Sequence, residues 1–395
     1  MGQQRGLVSA LIFVAITCIN IGQTVVFAIL APLGREVGLV EWQIGSIITC
    51  SSLMFSLASP RWGRMSDSLG RKPVMLFGLI GYTLGTVLFA SVFWLGMHQH
   101  ISGWTLYLAL VAARVLQALV MSATSPSATA FMADISDVQQ RTAAMGLIAS
   151  ASSIGTIVGP SVAYFAFISL LAPMYIVSAA TLLAAVLVAW YLPRVPVNWT
   201  RGNATGAGFR DKRVFPFLAV GVTMYTGFSV VQQTLGYYFQ DKLHLSAVQT
   251  AQQVGYAMMG TAVASLLSQV LVVQGARWRP VTLMRCGFML MAQGFLGLAL
   301  ADTALTLSAC MLVVGMGMGM AGPGFSSSAT LSVSAHEQGA IAGLISACPA
   351  MGFVTGPLLG AALYHANPHA PYVVASVMFL PLIAFVWTSR RVARY

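Results

Sequence analysis

The side chain most able to take part in binding or proton chemistry is a single arginine inside a long apolar run. Arg114 lies near the middle of the run 104–126, and Gln117 follows three positions later. Residues three apart share one face of a helix, so the two side chains are predicted to act together. A charge at the centre of a membrane helix costs on the order of 2.5–3.5 kcal/mol. We therefore predict a role in ligand binding or proton coupling; an arginine that only ties helices together is the alternative.

Neutral polar side chains in two other apolar runs could supply uncharged hydrogen bonds. In the run 7–31, polar residues recur on or beside one helical face: Thr17, Asn20, Gln23 and Thr24. In the run 214–239, the corresponding residues are Tyr225, Ser229, Gln232, Gln233, Gly236 and Tyr237. Polar side chains at membrane depth often only bond a neighbouring helix. Several are nevertheless predicted to contact a ligand, above all Tyr225, Gln232 and Gln233.

The acidic residues are all predicted to lie in loops or at helix ends. They are Glu36, Glu41, Asp67, Asp134, Asp137, Asp211, Asp241, Asp302 and Glu337. No carboxylate is therefore expected at membrane depth. A cavity with one cation and no anion fits a carboxylate-bearing ligand better than a lipophilic cation.

The sequence lacks the patterns that would indicate an enzyme or a metal site. No H-E-x-x-H, G-x-S-x-G or P-loop pattern is present. The five cysteines show neither zinc spacing nor a disulfide framework: Cys18, Cys50, Cys286, Cys310 and Cys348. We expect no catalytic residues, no metal and no cofactor.

The composition indicates that the solvent of this chain is a lipid bilayer. Hydrophobic residues make up 57% of the 395 positions and charged residues 7%, with a mean hydropathy of +0.81. A soluble domain carries roughly 25% charged residues. Within a bilayer, a helix satisfies its own backbone polar groups, and about 20 apolar residues span the hydrocarbon. The chain is predicted to be an all-α integral membrane protein.

Twelve apolar runs are long enough to be membrane-spanning helices. They are 7–31, 42–60, 73–95, 104–126, 142–166, 172–192, 214–239, 247–273, 281–301, 303–325, 338–364 and 369–388. With the N-terminus in the cytoplasm, 17 of the 20 basic residues fall on the cytoplasmic side. This asymmetry is the positive-inside pattern and predicts that both termini are cytoplasmic. It also explains the net charge of +11 without nucleic acid as a partner.

The twelve runs divide into two similar sets of six. A glycine–proline pattern recurs at an offset of 197 positions: Gly155, Gly159 and Pro160, then Gly352, Gly356 and Pro357. The one long polar segment separates the sets. The predicted parts are an N-terminal six-helix bundle, a cytoplasmic linker and a C-terminal six-helix bundle: 1–192, 193–213 and 214–395. Repeated halves of transporters pack around a pseudo-two-fold axis, with the ligand site near the midplane.

The loop after the second predicted helix carries the most specific motif. The pattern G-x-x-x-D-x-x-G-[RK]-[RK] is matched by Gly63, Asp67, Gly70, Arg71 and Lys72. It resembles the loop signature of the major facilitator superfamily, with Ser68 where a basic residue is usual. The resemblance implies a cytoplasmic latch that holds an outward-open state, with Asp134 as its acidic partner. The alternative is that the basic residues only set the topology.

Two further motifs are similar to elements of the same superfamily. Arg114 and Gln117 are similar to the R-x-x-Q-G element of proton-coupled members, with Ala118 in place of the glycine. The G-x-x-x-G-P signature of antiporters is similar to the segment that contains Gly155, Gly159 and Pro160. Together the motifs resemble the drug/proton antiporter branch with twelve transmembrane helices.

The resemblance implies both an architecture and an activity. The expected fold is the major facilitator fold, two six-helix bundles related by pseudo-two-fold symmetry. The expected activity is export of a small molecule across the inner membrane by alternating access and proton-coupled antiport, as a monomer in the lipid bilayer. Export of an endogenous anionic metabolite, such as a carboxylate siderophore, and facilitated transport without protons are the alternatives.

Overall fold

A computed structural model describes residues 2–136, 141–193, 211, 214–276, 278–333 and 338–388. Among these residues the regular structure is entirely helical. The predicted linker 193–213, apart from Pro193 and Asp211, lies outside the described residues, as do Asp137 and Glu337.

The described residues form thirteen α-helices, with one 3₁₀ segment and one π-helical segment. The first seven α-helices are α1 (Gly2–Glu36), α2 (Glu41–Leu69), α3 (Arg71–Met97), α4 (Gly103–Met121), α5 (Thr124–Ile135), α6 (Arg141–Val162) and α7 (Ala172–Tyr191). The other six are α8 (Phe215–Leu243), α9 (Ala247–Ser268), α10 (Pro280–Leu300), α11 (Ala304–Leu331), α12 (Gln338–Ala366) and α13 (Ala370–Thr388). The 3₁₀ segment Ala163–Phe167 follows α6, and the π-helix Gln269–Gly275 follows α9.

The helices have the length and composition that a bilayer requires. Eleven spans among the described residues are long and apolar enough to cross a membrane. The twelfth predicted run, 42–60, lies in α2, which is a 29-residue helix of lower hydropathy that also carries Arg61, Arg64 and Asp67. The prediction of a multi-pass, all-α membrane protein is confirmed.

The fourth predicted run differs from the observed helices. The sequence predicts one helix over 104–126, whereas α4 ends at Met121 and α5 continues from Thr124 to Ile135. Ser122 and Ala123 interrupt the helix, just before Pro126. Proline has no N–H and is tolerated in the first turn of a helix but not in its interior, so its position favours a new helix start.

The chain divides into two compact units. One consists of Met1–Arg201 with Ser246–Gly255, and the other of Gly202–Leu245 with Tyr256–Tyr395. In the first unit, α1 packs along α6 and α7, and α3 packs along α4 and α7. In the second unit, α8 packs along α12, and α10 packs along α11 and α13.

The repeated glycines of the sequence bring helix backbones together in both units. A Cβ atom on Gly155 of α6 would lie 2.5 Å from Asn20 Cβ and 2.7 Å from Thr17 O of α1. A Cβ atom on Gly352 of α12 would lie 2.6 Å from Tyr225 Cβ of α8. Only glycine fits at such distances, so α6 on α1 and α12 on α8 are equivalent close contacts.

Candidate functional site

The guanidinium of Arg114 is buried in the first unit and held by two side-chain amides. Only 3% of the residue is exposed. Its Nη1 donates to Gln117 Oε1 at 2.5 Å, and its Nη2 donates to Gln23 Oε1 at 3.0 Å. Its Nε is buried and has no hydrogen-bond partner among the described residues. The structure therefore brings Arg114, Gln117 and Gln23 together, as three of the predicted site residues.

Helix α3 completes this cluster. Gln117 Nε2 donates to Thr86 Oγ1 at 2.5 Å and lies 3.5 Å from the carbonyl oxygen of Tyr82. The guanidinium carbon of Arg114 lies 5.6 Å from the centre of the Phe89 ring, within range of a cation–π contact. We call Arg114, Gln117, Gln23, Thr86 and Phe89 the arginine cluster.

The α3 members of the arginine cluster, Thr86 and Phe89, were not predicted from the sequence. The available signal was that the apolar run 73–95 contains the polar residues Tyr82, Thr83 and Thr86. The Tyr82 hydroxyl lies against Gly22 of α1, where a Cβ atom would clash with it. That hydroxyl has no hydrogen-bond partner among the described residues.

No described carboxylate is paired with Arg114. Ion pairs elsewhere in the described residues include Arg35 with Glu41, Arg71 with Asp67 and Asp134, and Lys242 with Asp302. The described acids lie in the last turn or first turn of a helix or between helices. A buried charge normally needs a partner, because its desolvation costs several kcal/mol. Among the residues that the structure describes, the partners of Arg114 are two neutral amides and an aromatic ring.

The other polar residues of α1 face α6 instead of the arginine cluster. Thr17 Oγ1 donates to the Ala151 carbonyl at 3.2 Å. Asn20 Nδ2 donates within its own helix to the Ile16 carbonyl at 2.8 Å, and its Cβ packs against Gly155. These contacts favour helix packing for Asn20, the alternative that the sequence left open.

The predicted residues of α8 lie in the second unit. Gln232 and Gln233 are 8% and 5% exposed, and Gln232 Oε1 is buried without a described partner. Tyr225 is half-buried beside Gly352. Tyr237 is fully buried, with its ring centre 5.6 Å from that of Tyr364. These four α8 residues are all uncharged, so their chemistry differs from that of the arginine cluster.

The predicted latch residues meet between α2, α3 and α5. Arg71 forms an ion pair with Asp67, and its Nε donates to Asp134 Oδ2 at 2.9 Å. Its Nη1 also donates to Ser66 Oγ at 2.7 Å. One guanidinium thus joins the ends of three helices. The side chain of Arg71 is only 12% exposed, which limits screening by solvent.

The two neighbours of Arg71 in the motif have separate roles. Gly70 has φ +93° and ψ 150°, a conformation that side-chain-bearing residues rarely adopt, and it lets α3 begin directly after α2. Lys72 Nζ donates to the carbonyls of Ala189 at 2.8 Å and Leu192 at 2.5 Å, at the end of α7. Glycine is not sterically required at position 63, because a Cβ atom there would lie 3.7 Å from Pro126 Cβ, an ordinary van der Waals distance.

An exposed ion pair lies at the end of α8. Lys242 Nζ lies 2.7 Å from Asp302 Oδ1, in the connection between α10 and α11. The hydrogen bond and the charge of Lys242 lower the pKa of the Asp302 carboxyl below its ordinary value. In the first unit, Arg35 at the end of α1 forms an ion pair with Glu41, the first residue of α2, at 2.9 Å.

Comparisons with characterised proteins find bacterial resistance proteins. The chain is 24% identical to multidrug resistance protein 1 of Bacillus subtilis, over 90% of each chain. It is 25% identical to the class B tetracycline resistance protein of Escherichia coli, over 81% of this chain and 79% of that protein. It is 23% identical to the quinolone resistance protein NorA of Staphylococcus aureus, over 94% of each.

Solved transporter structures have the same fold. The human organic anion transporter MFSD10 (TETRAN) superposes with a TM-score of 0.67 at 20% identity, covering 97% of this chain and 99% of that one. A bacterial homologue of the human lysosomal transporter Spinster superposes with a TM-score of 0.75 at 14% identity, covering 99% and 98%.

The family model of the Major Facilitator Superfamily matches residues 12–350, which is most of the chain. The match agrees with the helical architecture, the eleven apolar spans and the structural neighbours. It also agrees with the expectation that the protein is a transporter and not an enzyme. The chain is a multi-pass membrane transporter that belongs to the Major Facilitator Superfamily.

Proposed function

We propose that this transporter exports a small molecule across the inner membrane by alternating access, and that inward proton movement drives the export. The observation that carries the proposal is the pair of glycine contacts, α6 on α1 and α12 on α8. They place the G-x-x-x-G-P segment of α6 directly on the helix that bears Gln23. The names of the relatives, which are drug resistance proteins, support export as the direction.

In this proposal the two units have different tasks. The arginine cluster couples substrate movement to protons. It contains Arg114, which is the one buried charged residue among the described residues of the first unit. Gln232, Gln233, Tyr225 and Tyr237 contribute neutral contacts to the substrate. The protein works as a monomer, with no nucleic acid partner.

The proposed role of Arg71 is to stabilise the outward-open state. Its ion pairs with Asp67 and Asp134 hold α2, α3 and α5 together and must break or loosen if these helix ends separate. Both termini are proposed to be cytoplasmic, which puts this cluster on the cytoplasmic side together with most of the basic residues.

One observation favours a second candidate function. Since no described carboxylate is paired with Arg114, the substrate is an anion in this alternative, such as a carboxylate siderophore. Transport then proceeds by antiport with protons or, if no proton is bound, as facilitated movement of the anion.

The test is substrate-driven proton movement in proteoliposomes that contain an internal pH dye. Ethidium, a neutral drug and a polycarboxylate are added in turn to vesicles with the wild type, Arg114→Gln or Arg279→Gln. Arg279 is an exposed arginine before α10, so its variant controls for loss of a positive charge. We expect a substrate-triggered pH change in the wild type and in Arg279→Gln, and none in Arg114→Gln. Substrate movement without a pH change would exclude antiport.

A further inference from the structure

The two amides that hold Arg114 are not equivalent. Gln117 is 1% exposed and is fixed on its other side by Thr86 at 2.5 Å. Gln23 is half-buried, and its Nε2 donates only to the sulfur of Met121, at 3.1 Å. A thioether is a weak acceptor. Apart from its bond to Arg114, Gln23 therefore loses only this weak contact if it leaves its position, whereas Gln117 also has a strong second bond.

The free donor of Arg114 lies on the side that Gln23 occupies. A guanidinium binds a carboxylate side-on through its Nε and the adjacent Nη nitrogen, with two parallel hydrogen bonds. Here Nε has no described partner, and Nη2, the nitrogen on the same edge, is held by Gln23. Nη1, on the other edge, is held by Gln117. Departure of Gln23 alone would expose a complete two-point binding edge.

We propose that Gln23 is a displaceable partner of Arg114, and that a carboxylate of the transported molecule replaces its amide oxygen on the Nε–Nη2 edge. Gln117, anchored by Thr86, keeps the guanidinium in place during the exchange. The inference rests on the second candidate function, an anionic substrate, and narrows its class to a carboxylate-bearing anion. It also makes Gln23 a residue that determines specificity between anions and cations.

The reason for a neutral partner follows from the charge balance. A carboxylate at position 23 would pair with Arg114 within the protein, and a substrate anion would then have to displace an ion pair. The amide oxygen of Gln23 carries no net charge, so the guanidinium binds it more weakly than it binds a carboxylate. Gln23 therefore satisfies part of the buried guanidinium between transport cycles and gives way to a charged competitor.

Binding to the purified, detergent-solubilised protein tests this without requiring transport. Carboxyfluorescein binding is followed by fluorescence anisotropy, with citrate and benzoate as competitors. Gln23→Glu is expected to weaken carboxyfluorescein binding about ten- to a hundredfold, the effect of a charged hydrogen bond that must be displaced. Gln23→Met removes the competing oxygen and is expected to leave binding equal or tighter. A role in packing alone would weaken binding in both variants.

A matched control adds the same charge elsewhere. Gln249 lies in the first turn of α9, where its Oε1 accepts from the Ser246 backbone N–H at 3.1 Å. A glutamate can accept the same bond, and a helix N-terminus favours a negative charge. Gln249→Glu is therefore expected to bind carboxyfluorescein like the wild type. The melting temperature of Gln23→Glu is expected to equal or exceed that of the wild type, since its carboxylate pairs with Arg114.

The outcomes separate this inference from export itself. If the variants show the expected binding but proteoliposomes show no export, the export proposal fails and the carboxylate site stands. The inference is overturned if the wild type transports ethidium but binds none of the three carboxylates. It is also overturned if Gln23→Met weakens carboxyfluorescein binding as much as Gln23→Glu does.

Discussion

The two units share a backbone arrangement and differ in side-chain chemistry. In the first, α6 lies on α1 through Gly155 and Gly159; in the second, α12 lies on α8 through Gly352 and Gly356. Beside the first contact lies a buried guanidinium, whereas α8 carries neutral amides and phenols. Helix packing has thus stayed alike while the polar residues have diverged. Shared contacts should matter for folding in both units, and the divergent residues should matter for transport in different ways.

The largest effect on stability is expected where the units are alike. Gly159→Ala would place a Cβ 2.6 Å from the Ile21 carbonyl oxygen, and Gly356→Ala would place one 2.6 Å from Ser229 Cβ. Overpacking of this kind costs about 1–3 kcal/mol. Both variants are expected to lower the melting temperature in detergent by several degrees, by about 2–4 °C per kcal/mol for a large domain.

Two other glycines give the matched controls. A Cβ on Gly146 of α6 or Gly322 of α11 would meet nothing within 4 Å. Alanine is favoured over glycine in a helix by about 1 kcal/mol, so Gly146→Ala and Gly322→Ala are expected to keep or raise the melting temperature. A large drop in only one of Gly159→Ala and Gly356→Ala would show that the two contacts are not equivalent.

Removal of the Arg114 charge is expected to lower transport without lowering stability. Arg114→Gln removes the guanidinium and leaves Gln23 and Gln117 with neutral neighbours. Loss of a buried charged contact costs on the order of 2–5 kcal/mol of binding, so transport is expected to fall at least about thirtyfold. The melting temperature is not expected to fall, because the buried charge no longer has to be desolvated. Proteoliposome uptake and thermal unfolding measure the two properties.

A smaller effect is expected for the neutral counterpart in the second unit. Gln232→Leu removes an amide whose Oε1 has no described partner. One neutral hydrogen bond to a substrate is worth about 1 kcal/mol, so transport is expected to fall about fivefold. The same proteoliposome assay checks this. A loss as large as that of Arg114→Gln would contradict the distinction between a charged and a neutral site.

Substitution of the carboxylate partners of Arg71 is expected to have a still smaller effect on transport. Asp134→Asn removes one of the two carboxylate partners of Arg71. The Asp134 side chain is 35% exposed and that of Asp67 is 45% exposed, so solvent weakens both pairs. Partly exposed ion pairs are worth about 1 kcal/mol or less. We expect Asp134→Asn to change the initial rate of transport in the same vesicles a few-fold, and Asp67→Asn to change it less.

The smallest effect is expected at the exposed ion pair of the second unit. Lys242 lowers the pKa of Asp302, so the pair adds stability above the carboxyl's unfolded-state pKa, about 3.9. That contribution is lost as the pH falls through the lower folded-state pKa. Melting temperatures of the wild type and Asp302→Asn should therefore differ slightly at pH 6 and converge at strongly acidic pH. A difference that grows on acidification would give the opposite sign.

The sequence predicted the helices well because the bilayer leaves few alternatives. An apolar run of about 20 residues must be helical in lipid, and each predicted run overlaps an observed helix. The break between α4 and α5 was not predicted, since one serine, Ser122, beside Ala123 does not by itself end a long apolar run. Pro126 was the available signal, and its meaning depended on where the new helix began.

The site was only partly predictable, because it depends on how helices rotate against each other. Three positions along a helix correspond to about 300°, so Asn20 and Gln23 point about 60° apart. One faces Gly155 of α6 and the other faces Arg114 of α4. No property of α1 alone distinguishes them. The contribution of Thr86 likewise required the packing of α3 on α4.

The contact between Gln23 and the Met121 sulfur has an evolutionary consequence. Glutamine and glutamate codons differ at one base, and in that exchange the new carboxylate still accepts from Arg114 Nη2, so only the weak thioether of Met121 loses its donor. Selection could therefore alter the charge that faces the Nε–Nη2 edge of Arg114 in one mutational step, with the glycine contacts of α1 and α6 unchanged. A transporter built this way can acquire a new class of cargo before its scaffold changes at all.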